Sequence, residues 1–301
     1  MLKKYISIFS FFSFLVVIQS CTVRGENEHE WGNLKNLGPN INSSGKDEHA
    51  TLTLDGNTMY FASIRKDGVG GYDIYRSEFV DGNWSKAEIL PPPVNTKKDE
   101  FDPFITLDGT KLFFASNRDG GDEYWDCEIY ISEWDKKGWS EPNIFDSVFV
   151  TPGKPDWGVT ITKDFKTLIF SSGRDPAEPH SVQIFKSHKL KDGWSIPVAL
   201  DEPVNSRGWE ATPYITPDGK TLYLNSARGE ENKEDVDIWK FEYIGGKWIN
   251  PELMEGVFLS LKHDYDPCLS ADGMKFYFTS NRDGGFGGSD IYVAERVIKR
   301  E

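Results

Sequence analysis

The sequence is poor in the residues that staple or metallate a small secreted domain. Cysteine occurs three times in 301 residues, at 21, 127 and 268, and the last two fall in different repeats, so a disulfide framework is not indicated and buried free thiols are expected. Histidine occurs five times, at 29, 49, 180, 188 and 263, without metal-ligand spacing, so neither a metal nor a cofactor is expected. Basic residues are also short, with 34 Lys and Arg against 48 Asp and Glu, and the net charge of −14 excludes nucleic acid as a natural partner. No Gly-x-Ser-x-Gly elbow occurs. The glycine clusters after Asp67 and Asp283 join one strand to the next rather than opening a helix, which argues against phosphate-binding loops. Outside residues 6–18 no long apolar run exists.

That one apolar run has a specific setting. Lys3 and Lys4 precede it, Ser20 and Cys21 follow it, and it is short for a membrane span, which is the order of a cleaved signal peptide. The string Val17-Ile18-Gln19-Ser20-Cys21 resembles a bacterial lipobox, which implies lipidation at Cys21. The expected organisation is a signal peptide over 1–20, a polar tether over 21–30 and one domain over 31–301. Loss of the leader removes two lysines and moves the net charge from −14 to −16. Thr22 after the cysteine, by resemblance to Gram-negative sorting rules, implies the outer membrane, with the domain facing the periplasm or the cell surface.

The abundance of aromatics (14%), 28 Gly and 16 Pro favours short strands and tight turns over long helices. Five segments align with one another: His49–Gly56, Asp102–Gly109, Gly158–Phe165, Thr212–Gly219 and Asp266–Gly273. Their turn aspartates, Asp55, Asp108, Asp164, Asp218 and Asp272, are spaced by 53, 56, 54 and 54 residues, a blade-sized period. Asp-Gly between apolar runs predicts a two-residue type I′ hairpin with positive φ at both positions, broken only at Asp164-Phe165. After each turn comes a strand apolar on both faces, such as Leu112-Phe113-Phe114, then a third strand such as Glu128-Ile129-Tyr130, then a fourth that begins at Trp84, Trp139, Trp194 or Trp248. The fifth repeat lacks this last strand. Trp31 has the matching spacing to Asp47, so the N-terminal segment is predicted to complete the last blade. The expected fold is an all-β, five-bladed β-propeller of four-stranded antiparallel blades, closed by the N-terminal strand.

The units Thr106–Gly121 and Ala271–Gly285 resemble the WD-like repeats of TolB-type periplasmic proteins, and the resemblance covers about residues 31–295. It implies a non-enzymatic envelope lipoprotein whose propeller face binds a protein or a glycan. The alternative is a five-bladed glycoside hydrolase or related enzyme that works through rim carboxylates, and a third possibility is a propeller that docks a partner enzyme.

Two classes of residue are separated by whether they repeat. Eight residues before each turn aspartate stands an acid (Asp47, Glu100, Asp156, Glu210, Asp264), and ten after it an arginine (Arg65, Arg118, Arg174, Arg228, Arg282). Five copies suggest architecture, with each Arg clamped between two acids, the second being the acid that opens the third strand (Asp73, Asp237, Asp290), and with the pKa of the first lowered by the guanidinium. Residues that break the repeat near the rim are the binding candidates: His49, Asp102, Tyr124, Trp125, Trp157, His180, Trp209, Asp266 and Phe286. Asp102 and Asp266 are the only recurrent-position acids near the rim without an assigned Arg, which makes them the pair to measure for two-carboxylate chemistry.

Overall fold

The computed structural model describes residues 29–119, 126–175, 181–206, 208–228 and 236–298. The signal peptide, Cys21, Tyr124, Trp125 and His180 lie outside the described residues. Five antiparallel sheets follow one another along the chain as the blades of a propeller. The innermost strands are Asp47–Leu52, Glu100–Ile105, Asp156–Ile161, Glu210–Ile215 and Asp264–Leu269, each paired with a second strand that begins just past the turn. These second strands, Thr58–Ser63, Lys111–Ser116, Thr167–Ser172, Thr221–Ser226 and Lys275–Ser280, are buried from their second residue onward. A strand covered on both faces by neighbouring blades needs such an uninterrupted apolar run.

Ring closure uses both ends of the domain. His29–Asn36 pairs antiparallel with Asp290–Ile298 and forms the outer strand of blade 5. Trp31 packs edge-on against Phe258 and Phe276, and the Arg296 guanidinium lies 4.9 Å from its ring centre. The closing strand begins at His29, so the last two residues of the expected tether already belong to the domain.

Two details of the hairpins depart from the sequence reading. Of Asp55 and Gly56 only the glycine has positive φ (67°), and Leu52 pairs with Met59, so the loop is longer than two residues. The Asp55 carboxylate explains why: it accepts from the Thr53 hydroxyl and the Asn57 amide, which stabilises an Asx-type turn with a single left-handed residue. In blade 3 the left-handed position falls on Phe165 (φ 58°). The outer strands also differ. Blades 1 to 3 interrupt them where one serine donates to the carbonyl of another, Ser77 to Ser85, Ser132 to Ser140 and Ser187 to Ser195. Blade 4 has Phe241 and Ile249 at these positions, and its outer strand runs unbroken over Lys247–Leu253.

Candidate functional site

The repeated acid and arginine meet in every blade. Arg65 reaches Asp47 at 2.5 Å, Arg118 reaches Glu100 at 3.2 Å, Arg174 reaches Asp156 at 2.8 Å, Arg228 reaches Glu210 at 3.5 Å and Arg282 reaches Asp264 at 2.6 Å. All five acids are buried. In blades 1 and 5 the rest of the clamp differs from the expectation of a second acid. The guanidinium donates to backbone carbonyls of the incoming chain, such as Ile41 in blade 1 and Phe149 in blade 3, and lies over the rings of the second and third strands, such as Phe61 and Tyr75. Asp73 and Asp290 instead accept from backbone amides of the glycine loops before them, Val69 and Gly70 for one, Phe286 and Gly287 for the other. The pKa expectation is also corrected for two of the acids. Burial outweighs the guanidinium at Glu100 and Asp156 and holds both carboxyls above their ordinary range.

Two residues further along each inner strand the chain behaves differently. The ladder slips by a β-bulge in all five blades, and the bulged residue is left-handed: His49 (φ 60°), Asp102 (48°), Gly158 (62°), Thr212 (43°) and Asp266 (55°). Glycine takes this conformation freely, whereas the four other side chains are held there under strain, a feature that gathers at functional sites. These five positions ring a cavity of about 50 Å³ on the propeller axis. Three of them carry groups able to ligate a metal, His49, Asp102 and Asp266, with their donor atoms all within 4.8 Å of one another. The spacing of histidines along the chain gives no sign of this set, because it is assembled from three blades rather than from one stretch of chain.

The two aspartates of this cluster are in unlike surroundings. Asp266 accepts from the Thr279 hydroxyl at 3.0 Å and the His49 amide at 3.2 Å, its own amide donates to Asn225 Oδ1 at 2.8 Å, and His49 Nε2 lies 3.1 Å from Oδ2. Asp102 is as deeply buried, yet neither of its oxygens makes a hydrogen bond. The reason lies in the repeat. Seven residues after the turn aspartate, blades 4 and 5 carry Asn225 and Thr279, which serve Asp266, whereas blades 1 and 2 carry Ala62 and Ala115. The contact of Asp102 is with a charge: His49 Nδ1 sits 2.6 Å from Asp102 Oδ1 as an ion pair.

Burial alone lowers the pKa of His49, but the carboxylates of Asp102 and Asp266 outweigh it and raise the imidazole to about 10. Burial raises Asp266 to about 6, against the opposing charge of His49. Glu48, beside His49, is pushed up by burial. The charge of His49 and donors from Ser289 (2.5 Å), Tyr265 (2.6 Å) and Tyr72 (2.5 Å) more than compensate, and its carboxyl lies below the ordinary range. This network ties blade 1 to blade 5 across the seam where the chain closes.

Above the axis the propeller face opens into a second pocket of about 240 Å³, lined by Lys46, Trp209, Asn225, His263, Tyr265 and Asn281 among others. His263 Nδ1 accepts from the Val236 amide at 3.0 Å, which fixes the tautomer with Nε2 as donor. Asn281 Oδ1 is a buried acceptor with no partner. Tyr265 and Asn225 connect this pocket to the axial cluster through Glu48 and Asp266. Of the other rim candidates, Trp157 is only 5% exposed and packs in a core cluster with Phe101 and Ala211, so it is not an open contact surface. Phe286 is half exposed on the loop that caps Asp290 and lines neither pocket. Sequence reasoning missed Lys46, Glu48, His263 and Tyr265. Their signal was available, since they stand nine or seven residues before the turn aspartate, at the same two repeat positions as Trp209 and Trp157.

No protein-family model and no curated protein matches the sequence. Among solved structures the fold is similar to TolB from Acinetobacter baumannii (16% identity, TM-score 0.53, 85% of this chain and 56% of that one). It is also similar to a putative TolB from Agrobacterium tumefaciens (15%, TM-score 0.53, 89% and 97%). An endo-arabinase from Bacteroides thetaiotaomicron aligns equally broadly (14%, TM-score 0.56, 88% and 98%). The chain thus spans little more than half the length of the Acinetobacter protein. At these identities the likeness shows the propeller fold alone, which is shared by TolB proteins and by an endo-arabinase alike.

Proposed function

We propose that the protein is a non-enzymatic lipoprotein of the cell envelope whose open propeller face binds a glycan or a protein. The observation that carries this reading is the contrast between the two cavities. Asp102 and Asp266, the pair considered for hydrolysis, converge on one histidine beside a space of about 50 Å³, enough for a few waters and too small for a sugar ring. A retaining glycosidase needs its carboxyls about 5 Å apart and an inverting one further, with the substrate between them. The mouth pocket, by contrast, offers an indole face, an ammonium and an imidazole N–H next to an unpartnered amide oxygen, a mixture suited to a hydroxylated ligand.

The test is a binding screen of the mature protein on envelope glycans and peptides, run beside a turnover screen on glycosides. Binding that is lost in Trp209→Ala, with no turnover, supports the proposal. Hydrolysis abolished by Asp102→Asn or Asp266→Asn replaces it with the enzyme reading. The anchor is part of the same proposal and rests on the Lys-Lys start, the apolar run and Cys21. Cys21→Ser should release the protein from the membrane fraction, and unchanged fractionation removes the lipoprotein from the account.

A further inference from the structure

Four buried polar atoms without a hydrogen-bond partner belong to the ring of bulged residues on the propeller axis: His49 Nδ1, both carboxylate oxygens of Asp102, and Thr212 Oγ1. All three residues line the same small cavity. Buried polar atoms are nearly always satisfied, so four on one cavity mark a place built around something polar. From this convergence we propose that His49 and Asp102 bind a divalent first-row transition cation on the axis, with Asp266 and Thr212 completing its surroundings.

The geometry around His49 decides the donor atom. Its Nε2 lies 3.1 Å from Asp266 Oδ2, a carboxylate already oriented by Thr279, and this contact places the ring proton on Nε2. Nδ1 is therefore the nitrogen left to ligate, and it faces the Asp102 carboxylate at 2.6 Å. Without an ion the imidazolium proton lies between these two atoms, and a bound ion displaces that proton and takes its place. A histidine that donates its far N–H to a carboxylate while offering the near nitrogen is the usual arrangement at a metal.

Water satisfies the hydrogen-bonding capacity of such a cavity and adds no charge. Glu48, Asp102 and Asp266 bring three carboxylates against the one positive charge of His49, and the Lys46 ammonium, 3.9 Å from Glu48, has a side chain 54% exposed. Buried charge of one sign requires a counter-charge. The chemistry of the donors narrows the ion. One imidazole nitrogen with carboxylate and hydroxyl oxygens suits zinc, manganese or cobalt better than the all-oxygen shell preferred by calcium or magnesium. The donor atoms lie within 4.8 Å of one another, close enough for side-chain adjustment to meet the roughly 2.0–2.2 Å bonds of such an ion. Bound there, the ion joins blades 1 and 2 directly and blade 5 through Asp266. The inference is independent of whether the mouth pocket binds a glycan or a protein.

The experiment uses the mature chain, dialysed against EDTA and then titrated separately with Zn²⁺, Mn²⁺ and Co²⁺. After desalting, about one equivalent of metal should be retained. Saturation should raise the melting temperature by roughly 5 °C, and Co²⁺ should show visible absorption bands from its protein ligands. Asp102→Asn and His49→Gln should lose all three responses, while Trp209→Ala should keep them. Absence of retained metal and of any melting shift in the wild type overturns the proposal and leaves His49 as an imidazolium lock between two carboxylates. One equivalent retained by Asp102→Asn also overturns it, because the ion is then held elsewhere.

Discussion

Glu100 and Asp102 lie two residues apart on one strand, and the molecule uses them in opposite ways. Glu100 belongs to a position that is acidic in all five blades and is saturated with donors: Arg118, Ser116 and both the amide and hydroxyl of Thr96. Asp102 belongs to a position that is different in almost every blade, is strained in backbone and has no hydrogen-bond donor. A position that is acidic five times closes a ring of equal blades. A position that takes four different residues lets a closed ring carry one site.

The largest expected effect breaks the ring itself. Deleting residues 21–42 strips the outer strand from blade 5 and exposes the edge of Asp290–Ile298, so cooperative unfolding should be lost, whereas deleting 21–28 should leave it intact. An unchanged melt after the longer deletion contradicts the closure. Next come the clamps. Arg→Ala at 65, 118, 174, 228 or 282 leaves a buried acid without its counter-charge and should cost about 2–4 kcal/mol in denaturant titrations. The five values should agree within about 1 kcal/mol, and a spread wider than the mean denies their equivalence.

A sharper comparison lies within the bulge ring. A side chain at position 158 meets Ser171 Oγ at 3.0 Å and Thr212 Cα at 3.1 Å on top of its positive φ, so Gly158→Ala should lose about 1–3 kcal/mol. Thr212→Gly relaxes the same strain and should be neutral or gain a few tenths. The smallest effect is a pH dependence. Burial, then the carboxylates of Asp156 and Asp126, raise Glu128 to about 8, and its Oε2 has no partner. The folded state therefore binds a proton that the unfolded chain releases above its ordinary pKa, and stability should fall as pH rises from about 4.5 to about 8. Glu128→Gln should flatten that slope and gain on the order of 1 kcal/mol at pH 8, discounted for its partial exposure. An unchanged pH profile removes Glu128 as the cause.

The five-fold repeat made the blades, their order and the closing role of Trp31 legible, because each blade is a local unit whose strands are adjacent in the chain. The turn was misjudged because Asp-Gly fits a two-residue hairpin as well as the longer Asx turn that Thr53 and Asn57 select. The axial cluster was beyond single-chain spacing: His49, Asp102 and Asp266 head three of the aligned segments, but only a bulge that turns each first residue inward brings them together. Their unequal satisfaction depends on Ala62, Ala115, Asn225 and Thr279, positions that look like interchangeable strand residues until the neighbouring blade is in place. Trp157 and Trp209 look alike at the rim and pack on the same core cluster, and the full burial of Trp157 separates them.

The central claim is that the repeated position holds the fold and the varied position holds the chemistry. Denaturant unfolding of Glu100→Gln and Asp102→Asn, both in EDTA, tests it most directly, since each change replaces a buried carboxylate by its amide on the same strand. The account predicts a loss of about 2–4 kcal/mol for Glu100→Gln and a loss smaller by at least about 1 kcal/mol for Asp102→Asn, because Asp266 and Glu48 still balance the charge of His49. Equal losses for the two contradict it.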